Sequence, residues 1–154
     1  FNQALKDFGH SKEIREVVED YLGKGAKLVD SQAWITKGTV LDETHFEFGF
    51  HKDIPDWKWL NLFIYLSDVS EDHGPHGCII GTHKCNHFTS FLERRCDDER
   101  LKKIYGVEKF VFFTGPYGTA IFEDTSNYHT ARHVKGDYRH MLQLNFSTST
   151  SFRL

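Results

Sequence analysis

Lys58-Trp59-Leu60-Asn61-Leu62-Phe63-Ile64-Tyr65-Leu66 is the stretch that decides the fold. Leu60, Leu62 and Ile64 share one parity, and Trp59, Asn61, Phe63 and Tyr65 share the other. Side chains alternate between the two faces of a strand, so apolar and aromatic residues on both parities describe a strand covered on both faces.

Outward from it the pattern stays strand-like. Leu28 to Ile35, Thr44 to Phe50, Lys109–Phe113, Thr119–Phe122, Ala131–Val134 and Arg139–Ser147 read as further strands, and His76 to Ile80 as a weaker one. Gly115-Pro116-Tyr117-Gly118 and Lys135-Gly136-Asp137 mark turns between them. Residues 11–22 predict an amphipathic helix with Ser11 as N-cap, an apolar face of Ile14, Val17, Val18, Tyr21 and Leu22, and Gly23 and Gly25 at its end. Phe88 to Tyr105 is charged and helix-compatible. Roughly eight short strands with a helix in front fit an all-β sandwich or jelly roll, whose mouth is a common ligand site.

The bulk properties agree with one domain over residues 1–154. No window approaches the roughly 20 apolar residues of a membrane span. A net charge of -3 gives no basic field for nucleic acid. Cys78, Cys85 and Cys96 form no paired framework, so reduced thiols in a cytoplasmic protein are expected. The chain begins at Phe1, and its N-terminal part is expected to be incomplete.

Three residues carry the chemistry: His51 and Asp53 in His51-Lys52-Asp53, and His129 far downstream. On an extended strand positions i and i+2 share a face, so His51 and Asp53 reach one ion while Lys52 points away. Two imidazoles and a carboxylate on one face suit non-haem Fe(II) and leave the opposite face open. His73, His76, His83 and His87, with Cys78 and Cys85, form a competing cluster from which a zinc site could be drawn. Their spacings match no tight ligand pair, and a polar loop at the barrel rim is the favoured reading.

Leu60 to Val69, then Glu71-Asp72-His73-Gly74-Pro75, Gly81-Thr82-His83-Lys84, and Gly118-Thr119-Ala120-Ile121-Phe122-Glu123-Asp124 running to His129 occur in an order that resembles the phytanoyl-CoA dioxygenase family. The resemblance covers His51 to about Ser147. It implies a double-stranded β-helix, a cupin-like barrel with flanking α-helices. It also implies an oxygenase using Fe(II), 2-oxoglutarate and O₂, with His51, Asp53 and His129 as metal ligands and Arg139 at the 2-oxoglutarate carboxylate. A planar guanidinium offers that carboxylate two parallel hydrogen bonds. Arg132 lies too close to His129 for the family pattern. Asn61 and Tyr65 share parity and could meet the co-substrate. Asp124 is either a support for His129 or a turn cap. Trp34, Trp57 and Trp59 line a pocket or fill the core.

The departures are Thr82 where the family often has Ser, Glu123 at an often apolar position, and a short N-terminal region. Asp53 favours hydroxylation over halogenation, because related halogenases have Gly or Ala there. The implied reaction hydroxylates an unactivated C–H bond of a small molecule, releasing succinate and CO₂. Two alternatives stay open: a catalytically inactive β-barrel binding protein, and a cupin-like iron enzyme that does not use 2-oxoglutarate. Oligomeric state is open as well.

Overall fold

Alternation along Trp59–Tyr65 separates two packed layers. The computed structural model describes residues 3–38, 49–53, 58–84 and 95–148. Helices α1 (Gln3–Gly9) and α2 (Lys12–Leu22) precede β1 (Lys27–Lys37), β2 (Trp59–Tyr65) and β3 (His76–Ile79). Helix α3 (Asp98–Tyr105) is followed by β4 (Phe110–Phe113), β5 (Ala120–Glu123), β6 (His129–Ala131) and β7 (Tyr138–Ser147). The strands form two antiparallel sheets, ordered β1-β7-β2-β5 and β4-β3-β6. His51 bridges to His129 and adds an edge to the smaller sheet. The fold is mainly β, a jelly roll of the double-stranded β-helix type with flanking helices.

The outer parity of β2 and β7 (Leu60, Leu62, Ile64, Leu142, Leu144, Phe146) packs on Ile14, Val18 and Leu22 of α2. Each fully buried leucine there contributes roughly 2 kcal/mol. The inner parity joins Phe63, Tyr65 and Met141 to Ile121 and Val69, with Trp34 and Phe113 against them. A third cluster, Phe50, Ile79, Leu101 and Tyr128, packs α3 on the far face of the smaller sheet. No helix among the described residues is long and apolar enough to cross a membrane.

Several expectations need correction. Helix α1 was not foreseen. Ser11 sits at the N-cap of α2 but its side chain makes no capping bond. Val17 and Tyr21 are 43% and 44% exposed, so the buried stripe of α2 is narrower than expected. The helix expected over Phe88–Tyr105 runs only over Asp98–Tyr105 among the described residues, because Arg95 bridges His51 and Asp97 then caps the helix, accepting from the Arg100 N–H at 3.1 Å. The strand expected at Ala131–Val134 lies at His129–Ala131. Its partner β3 begins at His76, after Gly74 in the left-handed region (φ 66°) and Pro75, so pairing stops at Ala131. That shift puts His129 on the strand. The strand expected at Thr44 to Phe50 lies outside the described residues except for its last two positions. Trp57, Cys85 and His87 lie outside them too.

Candidate metal centre

His51 and His129 face each other across a backbone pair. The His51 N–H donates to the His129 carbonyl at 2.9 Å, and the His129 N–H to the His51 carbonyl at 2.8 Å. The Asp53 N–H donates to the Thr125 carbonyl at 2.8 Å, which holds the carboxylate beside the pair. One ligand atom from each of His51, Asp53 and His129 lies within 4.8 Å of the others, and among the described residues this is the group that could hold a metal ion. Lys52 points to the other face, its Nζ 4.5 Å from the Tyr128 ring centroid.

The imidazoles are oriented by backbone. His51 Nδ1 lies 3.0 Å from the Gly49 carbonyl, and His129 Nδ1 3.1 Å from the Asn127 carbonyl. A carbonyl only accepts, so each Nδ1 carries the proton and each Nε2 is left for a metal. His129 Nε2 is 3.5 Å from Asp53 Oδ2. Burial, then the neighbouring His129, lowers the His51 pKa, which favours the neutral ligand form. Burial also works against a charged His129. The Asp53 hydrogen bond, with the Glu123 and Asp53 charges and the Asn127 carbonyl, outweighs it and raises the His129 pKa.

A clamp sets the approach to His129. Thr82 Oγ1 donates to the Ile79 carbonyl at 2.9 Å and accepts from the Tyr128 N–H at 2.9 Å. Asn127 Oδ1 accepts from the His83 N–H at 2.9 Å. The Gly81-Thr82-His83-Lys84 block thus acts on the chain just before His129. Thr82 supplies the hydroxyl that Ser would supply.

Arg139 is 3% exposed on the inner parity of β7. Its Nη1 donates to the Gly74 carbonyl and its Nη2 to Thr36 Oγ1 at 3.3 Å, while Nε has no partner. Asn61 is buried on the same sheet face, its Nδ2 3.4 Å from Thr125 Oγ1 and its Oδ1 unpartnered. The Tyr65 hydroxyl donates to the Phe113 carbonyl at 2.7 Å and accepts from the His76 N–H at 3.0 Å, tying the two sheets together. Asp124 is a turn cap: it accepts from the Ser126 N–H at 2.9 Å and from the Tyr21 hydroxyl at 2.6 Å, and Asn127 supports His129 in its place.

Among the described residues the histidine-rich cluster does not assemble. His73 Nδ1 accepts from the Ser70 N–H at 3.2 Å, His83 sits on Asn127, and His76 is buried in the barrel. His76 Nε2 lies 2.5 Å from Glu123 Oε2, and both side chains are nearly inaccessible. Sequence reasoning missed this pair. The signal was Glu123 sharing parity with Ile121 on a strand whose inner face closes the barrel.

No protein-family model matches the chain, and a search of curated proteins finds no significant match. Solved structures do match. The chain is similar to EctD from S. alaskensis with bound Fe (TM-score 0.72, 19% identity, covering 95% of this chain and 53% of that one). EctD has also been solved with 2-oxoglutarate and 5-hydroxyectoine (TM-score 0.69, 19% identity, covering 95% and 53%). HygX from Streptomyces hygroscopicus, with nickel and 2-oxoglutarate bound, matches at TM-score 0.67 and 14% identity, covering 96% of this chain and 66% of that one. The chain therefore spans about half the length of EctD. At these identities the likeness establishes the shared fold.

Proposed function

We propose that the chain is the catalytic core of an Fe(II)- and 2-oxoglutarate-dependent dioxygenase that hydroxylates an unactivated C–H bond of a small molecule. The observation that carries this is the facing triad: two imidazoles with Nδ1 tied to backbone carbonyls and a carboxylate, their ligand atoms within 4.8 Å. That donor set fits non-haem Fe(II). The ordered blocks that resemble the phytanoyl-CoA dioxygenase family, and solved structures of like fold with Fe, nickel or 2-oxoglutarate bound, support the same reading.

When bound, iron and 2-oxoglutarate would supply the oxidation, one oxygen atom of O₂ entering the substrate and the other entering succinate as CO₂ leaves. The chain's own residues hold and orient. His51, Asp53 and His129 would hold the ion. His129 is buried and Asp53 has 55% of its side chain exposed, so the triad lies where the interior meets solvent. Arg139 would bind the distal carboxylate of 2-oxoglutarate, and Asn61, with a free buried oxygen, is an inner-face neighbour for bound groups. Phe63, Met141 and Trp34 keep water from the interior.

One observation favours iron chemistry without 2-oxoglutarate: Arg139 already donates to Gly74 and Thr36. Succinate formation in Arg139→Leu separates the two. Loss of two charge-assisted bonds should raise the KM for 2-oxoglutarate by about tenfold or more. Unchanged turnover would overturn the 2-oxoglutarate assignment.

A further inference from the structure

We propose that Glu123 is a positioning residue of the metal centre: by holding His76 it fixes the inner wall against which the His129 ring is set. The proposal rests on the reading of His51, Asp53 and His129 as metal ligands, and deepens it. The His129 ring is bounded on three sides. Its Nδ1 is tied to the Asn127 carbonyl at 3.1 Å. The His51 ring packs on it at 4.3 Å between centroids, and the His76 ring at 5.9 Å. One hydrogen bond at Nδ1 leaves the ring able to tilt, so the flanking rings decide where Nε2 aims. His51 is itself a ligand, and a bound ion would help to set it. His76 is set by the protein alone.

Three contacts hold His76. Its backbone N–H donates to the Tyr65 hydroxyl at 3.0 Å, its ring lies 4.5 Å from the Phe63 ring, and its Nε2 lies 2.5 Å from Glu123 Oε2. The bond to Glu123 is the directional one, because a tilted ring contact tolerates rotation of the imidazole in its own plane. Phe63 and Glu123 belong to the larger sheet and His76 to the smaller, so the bond spans the barrel. Glu123 also accepts from the Cys78 thiol, which burial and then the Glu123 charge push up to about 12, so that it stays a donor. Cys78 is the cross-strand partner of His129, and His76 shares its face of β3 two residues away. One carboxylate therefore gathers both β3 side chains that flank His129. The fold has little need of it. Both side chains of the pair are nearly inaccessible, and apolar residues of similar volume are often as stable as a buried ionisable pair. What the pair supplies is direction.

The test is titration of the whole chain with Co(II) alone, whose absorption reports the geometry of its ligands. The Glu123 charge also reaches His129, so the variants separate reach from charge. Glu123→Gln keeps the reach and an acceptor for His76; it should keep the wild-type Co(II) spectrum. Glu123→Asp keeps the charge but draws the oxygen back by about 1.5 Å, one carbon–carbon bond. It should alter the spectrum and weaken Co(II) binding by about 10–100-fold. The double variant His76→Leu, Glu123→Leu should do the same, with an unfolding midpoint no lower than the wild type's. If the double variant does not fold, Glu123→Asp decides alone. Wild-type affinity and spectrum in Glu123→Asp overturn the proposal. So does a Glu123→Gln spectrum as altered as that of Glu123→Asp, because charge rather than reach is then what His129 feels. The Fe(II)–2-oxoglutarate absorption band of the wild type separates the two failures. A band together with an unaffected Glu123→Asp removes only the positioning role. The expected variant pattern without a band removes the 2-oxoglutarate reading and keeps the positioning role.

Discussion

Strands β2 and β7 each carry two interleaved sequences, one per face. Outward, Leu60, Leu62, Ile64, Leu142, Leu144 and Phe146 meet α2 in an apolar layer. Inward, the same strands present Asn61, Tyr65, Arg139 and Asn145, all buried, and β5 adds Glu123. Asn61 Oδ1, Glu123 Oε1 and Arg139 Nε have no partner there. An unsatisfied buried group costs about 1–3 kcal/mol. The outer face therefore stabilises the fold, and the inner face keeps unsatisfied polar groups at the expense of stability.

The comparison can be broken by showing that either face does the other's work. Leu144→Ala should have the largest effect: about 2–5 kcal/mol of unfolding free energy lost in denaturant titration, with Fe(II) affinity of the folded protein unchanged. Asp53→Ala should do the reverse. A partner that only orients a metal ligand is worth about 10–100-fold in affinity, so losing a ligand should cost at least about 100-fold, with stability shifting by less than about 0.5 kcal/mol.

Acidity should sharpen the contrast further. Metal binding must displace the proton that Asp53 and its neighbours hold on His129, so Fe(II) affinity should fall as pH drops through the raised His129 value, above 6.5. Metal-free stability should respond with the opposite sign. A raised folded pKa stabilises fully below 6.5, and that contribution is lost as pH rises through the raised value. Calorimetry of metal-free protein from pH 5 to 9 against parallel metal titrations checks both, with the pH range taken as about 1.5 units below to about 2.5 above the ordinary histidine value. The smallest effect is expected of Tyr21→Phe, which removes the exposed bond to Asp124: about 1 kcal/mol or less in thermal unfolding, with no change at the metal centre.

How much of this was legible follows from the same two faces. The doubly apolar run at Trp59–Tyr65 announced a strand buried on both sides, and it proved central. His51-Lys52-Asp53 and His129 could be paired because a period of two puts His51 and Asp53 on one face, and the family-like blocks supplied the distant partner. The helix expected through Arg95–Asp97 and the Ala131–Val134 strand were misjudged for one reason, residues 88–94 of the first lying outside the described residues. Their limits are set by long-range pairing, Arg95 with His51 and His76 with Ala131, which local periodicity does not encode. The His76–Glu123 pair was illegible on similar grounds, since its partners come from opposite sheets and meet only when the barrel closes.

The central claim is that the triad and Arg139 form one centre for iron and 2-oxoglutarate. Anaerobic titration with Fe(II), then 2-oxoglutarate, tests it most directly. The account predicts a weak charge-transfer band at about 500 nm when 2-oxoglutarate chelates iron, absent in Asp53→Ala and His129→Ala. Iron binding without the band, or a band that persists in both variants, would contradict it.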